Sequence, residues 1–267
     1  MIPWVFRGLR DGLLTTGWPR RPDPYFDRFP AAVDVAPGPV DADLATATAA
    51  DCPTRAITID AEGSVTLDQG RCILCGRCVT AAPQIFAWRR GAATSTLSRE
   101  RLLSGSSAPD DFDDLAEVRA ALHRRVRRLR RSVHIRHVDA GSDGSDEWEV
   151  RALLNPVYDI HRLGIFFTAS PRHADILLIT GIGSAGMTHP LARTVAATPE
   201  PRIVIAAGTD AVSGGLIGGG YASASDGLTD LVDVDVWIPG SPPSPFSLLH
   251  GILSALDRLP ADERGRS

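Results

Sequence analysis

Three of the chain's four cysteines form the run Cys72-Ile-Leu-Cys75-Gly-Arg-Cys78, and the fourth, Cys52, is followed by Pro53. A CxxCxxC run supplies three thiolates to one [4Fe–4S] cluster, and a separate cysteine followed by proline supplies the fourth. The spacing therefore predicts one [4Fe–4S] cluster, bound by Cys52, Cys72, Cys75 and Cys78.

Two other uses of these cysteines have to be weighed. A structural zinc site usually takes two separated CxxC or CxH pairs, and the shared middle cysteine of the run fits that pattern poorly. Two disulfides are typical of secreted, disulfide-dense chains, and no signal peptide is recognisable before the cysteines. Thiols that serve a cluster predict a reducing, cytoplasmic compartment.

The cysteine motif also resembles a known family. Cys52-Pro-Thr-Arg-Ala-Ile57, followed by Arg71 to Cys78, resembles the two-cluster ferredoxin-type subunit of respiratory complex I and membrane-bound hydrogenases. In that pattern four further cysteines bind a second cluster. Here those positions hold Ala42, Ala45, Thr48 and Ala82. The resemblance implies that one complete ligand set is lost and the other is complete.

Length and charge narrow the class of protein. The 267 residues are enough for two domains with their own cores. A net charge of −4 gives no reason to expect nucleic acid or an anionic membrane as the main partner. No apolar run reaches the ~18–20 residues that a membrane-spanning helix needs, so we expect the chain itself not to cross a bilayer.

The first half must position the cysteines. Apolar residues recur at helical spacing in residues 1–18, and this pattern predicts an amphipathic docking helix. Residues 19–90 are expected to form the ferredoxin-like domain: 19–50 an extended connector, 52–90 the compact cluster-binding part. Residues 91–110 have the composition of a linker. Residues 111–131 predict an Arg-rich connecting helix, acidic at its start and basic at its end, with a cationic face suited to an acidic partner subunit.

From residue 132 the pattern becomes α/β. Apolar, β-branched runs of strand length alternate with helical segments such as 190–197 and 245–256, which is typical of a parallel sheet covered on both faces. The runs are 133–138, 165–168, 174–180, 203–207 and 234–238. The predicted fold is thus an α+β half-ferredoxin domain followed by an α/β domain, residues 132–258, with a doubly wound, mostly parallel, flavodoxin-like sheet. Residues 259–267 are a tail.

The α/β half carries a second resemblance, in motifs such as His134-Ile-Arg-His-Val-Asp-Ala-Gly-Ser142, Ser170-Pro-Arg-His-Ala-Asp-Ile-Leu-Leu178 and Val234-Asp-Val-Trp-Ile-Pro-Gly240. They resemble the small subunit shared by complex I and membrane-bound nickel–iron hydrogenases. In that family four cysteines hold a [4Fe–4S] cluster facing the large subunit. The corresponding residues here are Asp143, Asp146, Asp210 and Ser241.

Carboxylates and hydroxyls are hard ligands that suit Mg²⁺ or Ca²⁺ and hold a thiolate-type cluster poorly. We therefore expect no cluster at these four positions. Two alternatives remain for the acids. They could form a hard-cation site, or they could be solvated or paired with arginines of a neighbouring subunit.

Together the two resemblances imply a non-catalytic iron–sulfur subunit of a complex I-like or hydrogenase-related oxidoreductase, peripheral on the cytoplasmic face of the membrane. The expected partners are integral membrane subunits, contacted by residues 1–18, and a hydrogenase-like large subunit, contacted by the α/β domain. Loss of the second cluster interrupts the family's electron path. Three alternative functions therefore stay open: an electron-transfer subunit with a rerouted path, a subunit of a complex without redox turnover, and a redox-responsive or structural scaffold.

An alternative from another class rests on Gly181-Ile-Gly-Ser-Ala-Gly186, which follows a predicted strand and matches GxGxxG. A nucleotide-binding oxidoreductase would use this loop. Pro190 argues against it, because it would either disrupt a helix already under way or, by opening the helix, leave the loop too long to place a pyrophosphate at the helix start.

Overall fold

A computed structural model gives the conformation of residues 3–38, 40–105, 124 and 132–260. Its first element, helix α1, spans Pro3–Asp11 and buries none of its side chains. Trp4 and Leu9 are 70% and 77% exposed. The helix thus covers only part of the predicted range 1–18, because residues 12–18 are not helical and Trp18 is buried in the core. Within the described chain α1 packs on no apolar surface. No helix among the described residues is long and apolar enough to cross a membrane.

Two small antiparallel sheets follow. Strand β1, Pro30–Val35, pairs with β4, Phe86–Arg90, while β2, Ile57–Ile59, and β5, Leu103–Gly105, flank β3, Val65–Asp68. Helices α2, Ala42–Ala50, and α3, Arg77–Ala81, complete this part. One apolar core, which includes Val33, Leu67 and Phe86, lies among these elements.

Two sequence predictions are wrong here. Residues 19–50 are not an extended connector, because they contain β1 and α2. Helix α2 begins at Asp41, whose carboxylate accepts hydrogen bonds from the backbone N–H groups of Asp43 and Leu44 and so caps it. Residues 91–105 are not a linker either, since β5 adds a strand to the sheet and Thr96 pairs with Trp237 of the second half. The secondary structure of short segments without an amphipathic period cannot be predicted from hydrophobic periodicity.

The second half contains five parallel strands, as predicted. They are β6, Val133–Asp139; β7, Ile165–Phe167; β8, Ile176–Thr180; β9, Ile203–Ala207; and β10, Val236–Ile238. Their spatial order is β10-β9-β8-β6-β7, and every pairing is parallel. This is the flavodoxin-like order, in which the connections reverse direction between β6 and β8.

Both faces of this sheet are buried. Alternate residues of the strands enter two different cores, since side chains of a strand point in turn to opposite faces. Ile176 and Leu178 join the core that contains Trp18 and Phe246, whereas Leu177 and Ile179 join the core that contains Leu191. The central strands β8 and β9 are buried along their whole length and almost entirely apolar, because both of their faces are covered.

Four helices cover these faces. Helices α4, Ser145–Ala152, and α7, Pro245–Ala255, contribute to the first core, and α5, Thr188–Ala197, and α6, Thr209–Ser213, contribute to the second. The chain before β1 also reaches the first core, because Trp18 stacks on Phe26 at 5.1 Å and meets the edge of Phe246 at 6.0 Å. The two halves therefore share one hydrophobic core.

The predicted Arg-rich helix, residues 111–131, lies outside the described residues except for Arg124, which is helical and exposed. Residues 106–110 of the predicted linker and 261–267 of the predicted tail also lie outside them.

Trp18 should be a principal link between the amino-terminal segment and the sheet. Replacing this 1%-exposed side chain by alanine removes a stacked indole and leaves a cavity, so we expect Trp18→Ala to lower the free energy of unfolding by about 3–5 kcal/mol. The measurement is denaturant unfolding followed by far-UV circular dichroism.

The control is Trp148→Ala, because Trp148 is 70% exposed and its truncation should change stability by less than about 0.5 kcal/mol. Equal losses in the two variants would contradict the assigned packing.

Candidate functional site

The four cysteines line a single cavity. Cys52 lies in the turn after α2, and the other three lie in the segment between β3 and α3 and at the start of α3. Apolar side chains, among them Val33, Ile57 and Leu67, form the rest of its wall. All four thiols are free; Cys75 is exposed and the others are half-buried. The structure thus brings together every cysteine that the sequence predicts as a ligand.

Asp68 holds the start of the cysteine loop. Its carboxylate accepts two hydrogen bonds from Arg99, at 2.9 and 2.6 Å, and a third from the Gly70 N–H at 2.8 Å. The Cys72 N–H donates to the Asp68 carbonyl at 3.1 Å. Beyond Cys72 the backbone is left-handed at Leu74 and Gly76, with φ of 54° and 73°. These turns wrap the loop, so that side chains three residues apart face one cavity.

Burial and crowding oppose ionisation of these thiols. The pKa of Cys72 is raised to about 12, mainly by burial and to a smaller extent by the neighbouring cysteines, while the Leu74 backbone hydrogen bond lowers it. Burial also raises the pKa of Cys78. Several thiolates can share this cavity only with a cationic group among them. The Ala56 N–H already points at the Cys52 sulfur, 3.3 Å away, as expected of a hydrogen bond to a sulfur that carries charge. The donor set therefore fits an iron–sulfur cluster.

The four positions at which the ferredoxin resemblance predicts a lost ligand set lie in the hydrophobic core or at the surface. Ala45 and Ala82 are fully buried and belong to the core with Ile85 and Phe86. Thr48 is 4% exposed, and its hydroxyl donates to the Leu44 carbonyl at 2.8 Å. Small side chains in close contact leave little space at the buried positions, and Ala42 is exposed.

The four positions that correspond to the small-subunit cluster also converge. Asp143, Asp146, Asp210 and Ser241 line a second cavity, of about 210 Å³. The acids come from the segments after β6 and β9 and the serine from the segment after β10, so this acidic pocket lies beyond the carboxyl edge of the sheet, where α/β proteins bind ligands. Ile73 of the cysteine loop lines it as well. The two candidate sites are therefore neighbours.

The three acids differ in environment. Asp146 is only 3% exposed, and burial, reinforced by Asp210 and Glu147, raises its pKa to about 8. Burial raises the pKa of Asp210 to about 6, with a smaller contribution from Asp143. Asp143 is exposed, and hydrogen bonds from Ser145 lower its pKa. The prediction that these acids could be solvated is wrong for Asp146, because the sheet edge encloses it.

The short helix α6 joins the two sites. The Thr209 hydroxyl donates to the Cys72 carbonyl at 3.2 Å, and the buried Ser213 hydroxyl donates to the Gly70 carbonyl at 2.8 Å. Asp210 lies between them on the same helix. The sequence analysis missed Thr209, Ser213 and Ile73. The signal for the first two was their position directly after a fully apolar strand, at the edge where such sheets place functional groups.

The glycine-rich loop after β8 does not have the geometry of a dinucleotide site. Helix α5 begins at Thr188, so the loop spans 181–187 and Pro190 lies in the first turn. The space beside Gly183 is filled by Leu231 and Leu228, and the space beside Gly181 by the backbone of residues 141–142. These glycines allow close packing within the chain rather than a pyrophosphate cradle.

The parallel sheet and the cysteine motif together indicate an iron–sulfur protein with a flavodoxin-like domain. Comparison with known families agrees. The model described as NADH ubiquinone oxidoreductase, 20 Kd subunit, matches residues 144–255, and the model described as 4Fe-4S single cluster domain matches residues 65–124. The chain belongs to the family of the 20 kDa subunit of NADH ubiquinone oxidoreductase.

Curated relatives include hydrogenase and NADH dehydrogenase subunits. Formate hydrogenlyase subunit 7 of Escherichia coli is 37% identical over 62% of this chain and 64% of its own length. The probable membrane-bound hydrogenase subunit mbhJ of Pyrococcus furiosus is 39% identical over 48% of this chain and 77% of its own. An NADH-quinone oxidoreductase subunit of Citrifermentans bemidjiense is 40% identical over 40% and 61%. The chain thus spans less than two thirds of the first and third relatives.

The buried carboxyl of Asp146 should make stability depend on pH. Its pKa is raised from 3.8 to about 8, so between these values the folded chain holds a proton that the unfolded chain releases. Stability from this group is complete below about pH 4 and is lost as pH rises towards 8. We expect Asp146→Asn to stabilise the protein by about 1–3 kcal/mol at pH 8 relative to its effect at pH 4, measured by denaturant unfolding at both pH values.

The matched control is Asp230→Asn, which changes an exposed carboxyl outside the pocket. It should leave the pH dependence unchanged. A similar slope in the wild type and Asp146→Asn would show that Asp146 ionises normally.

Proposed function

We propose that this chain is the iron–sulfur electron-transfer subunit of a membrane-associated complex, related to complex I and to membrane-bound hydrogenases, and that it carries one [4Fe–4S] cluster. The convergence of Cys52, Cys72, Cys75 and Cys78 on one cavity carries the proposal. Family membership, the single-cluster match and the hydrogenase and NADH dehydrogenase names of the relatives support it.

The chain's residues have distinct roles in this proposal. The four cysteine sulfurs bind the cluster, the Ala56 N–H stabilises charge on the Cys52 sulfur, and Asp68 with Arg99 fixes the start of the loop. When bound, the cluster accepts and donates one electron at a time. The apolar wall limits access of water, which together with the N–H contacts adjusts the potential.

The arrangement of ligands favours a cluster over zinc. In a zinc site all four sulfurs lie about 2.3 Å from one ion, so they must crowd together. In a [4Fe–4S] cluster each sulfur binds its own iron, and the sulfurs lie further apart. The CxxCxxC run with a fourth cysteine followed by proline is the spacing that favours the cluster.

We also propose that both other family sites are lost. The region from residue 19 to residue 105 then forms a half-ferredoxin, in which the buried ligand positions Ala45, Thr48 and Ala82 have been filled by core packing. In the acidic pocket the hard oxygen ligands of Asp143, Asp146, Asp210 and Ser241 replace the thiolates, and they hold an iron–sulfur core poorly.

The loss of the pocket cluster changes what the subunit can do. If the large subunit receives electrons through that position in relatives, the remaining cluster must use another route here. A rerouted path, a complex that has lost redox turnover and a redox-responsive scaffold are each compatible with the two sites. Electron transfer is favoured because the complete four-cysteine set is retained.

The first test is iron and sulfide analysis with low-temperature EPR on the anaerobically purified chain. We expect about four irons per chain and one reduced [4Fe–4S] signal, which Cys75→Ser should abolish or alter because it removes one thiolate ligand.

The control is Thr80→Ala, a change at an exposed residue of helix α3, which follows the Cys75 loop. It should keep iron and signal. Zinc without iron would overturn the electron-transfer function, and about eight irons would show that the acidic pocket still holds a cluster.

Peripheral attachment to the membrane is proposed through α1. Its Trp4, Phe6 and Leu9 are mostly exposed, and Arg7 and Arg10 lie on the same short helix. An exposed apolar face bordered by arginines suits the interface between lipid headgroups and integral subunits.

We expect Phe6→Asp combined with Leu9→Asp to move the complex from the membrane to the soluble fraction when membranes of the source cells are isolated, since charges on the apolar face oppose burial. Iron content should not change. Trp148→Asp, a change at an exposed tryptophan on α4, is the control, and membrane retention of the double variant would contradict this role of α1.

A further inference from the structure

The acidic pocket lacks a counter-charge of its own. Asp143, Asp146 and Asp210 face one cavity, and none of the three forms an ion pair with a described residue. No arginine or histidine is among the described residues that line it. Three carboxyls in one cavity repel each other when they ionise, and a cation in the cavity would remove that repulsion.

Asp146 gives independent evidence for a ligand. Its side chain is 3% exposed, yet within the described chain its carboxyl has no hydrogen-bond partner. The carboxyl lies over Gly208, so closely that a Cβ there would be 2.2 Å from one of its oxygens, and it lines the cavity. Carboxylate oxygens that have no partner within the described chain and line the cavity are free to accept hydrogen bonds from a donor that enters it.

Part of the pocket wall is apolar, beside the hydroxyls of Ser145, Thr209 and Ser241. Ile73 lines one side. Leu216 and Ile217, which are 60% and 57% exposed, lie at the rim of the pocket in the segment that follows α6. A bare metal ion gains nothing from such walls. A cation on a hydrocarbon stem would cover them while its charged end reaches the carboxyls.

The shape of a guanidinium also suits this pocket. It spreads five N–H donors over a planar fork, so it can contact more than one carboxyl of the same cavity at once.

We propose that the acidic pocket receives an arginine side chain of a partner subunit, with its guanidinium on Asp146 and Asp210 and its stem against Ile73, Leu216 and Ile217. This deepens the proposed function, on which it rests for the existence of a partner. The position that holds a cluster in the family then serves as an ionic anchor between subunits. Such a contact would explain why the pocket keeps charged groups rather than a packed apolar core.

The probe for this test is N-acetyl-arginine amide, titrated into the full-length, cluster-loaded chain and followed by isothermal calorimetry and by the ¹³C signal of the Asp146 carboxyl. N-acetyl-citrulline amide, which has the same shape without the charge, is the matched control ligand. N-acetyl-lysine amide, Mg²⁺ and Ca²⁺ are titrated separately.

We expect the arginine probe to bind, the citrulline probe not to bind, and Asp146→Asn to weaken binding by about tenfold or more, while Asp230→Asn leaves it unchanged. Affinity should rise with pH towards 8, since the bound cation favours the ionised form of Asp146. The groups that face Asp146 and share in this response are Asp139, Asp143, Glu147 and Asp210.

Three results would overturn the proposal: tighter binding of Mg²⁺ or Ca²⁺ than of the arginine probe, equal binding of the lysine and arginine probes, or no binding of either. Iron is measured on the same samples. About four irons without arginine binding would contradict the anchor and leave the proposed function intact, whereas missing iron would contradict the function itself.

Discussion

The contact between the cysteine loop and helix α6 is the constraint on which both sites depend. Thr209 and Ser213 donate hydrogen bonds to two carbonyls of the loop, from Cys72 and Gly70. Ser213 is 3% exposed, so a loop carbonyl that lost this partner would be left unsatisfied in a region that water barely reaches. Because α6 directly follows the buried strand β9, the position of the cysteines is set by the parallel sheet as well as by their own small sheets.

This dependence explains why the two halves cannot be considered separately. Thr96 pairs with the edge strand β10, Trp18 enters the core under the sheet, and Arg99 reaches back to Asp68 at the base of the loop. Each contact fixes the cysteine loop relative to the carboxyl edge of the sheet. A cluster bound by this loop would keep a constant distance and orientation to the acidic pocket. Such a fixed geometry is what energetic coupling between two neighbouring sites requires.

Pattern reasoning could predict the sheet because its strands are buried on both faces, and a short run as apolar as Ile203–Ala207 is typical of a strand in that position. It could predict the cysteine site because thiolate spacing is chemically specific. It could not predict α2, whose alanines and threonines have almost no amphipathic period, or β5, whose three residues form a strand only by pairing with β3. Ile73 and Asp146 line the same pocket although they lie far apart in sequence, and only tertiary packing places them there.

The two sets of positions at which we propose that cluster ligands are lost differ in their packing, and the difference is physically informative. Alanine at positions 45 and 82 merges with the neighbouring core, so nothing there is left to bind. The same solution was open to the second set, since apolar side chains at positions 146 and 210 would have avoided the cost of burying carboxyls beside one another. Instead the pocket keeps a cavity, a carboxyl without a partner and an exposed apolar rim. In the proposed complex, an arginine of a partner subunit would offset the cost of bringing these carboxyls together.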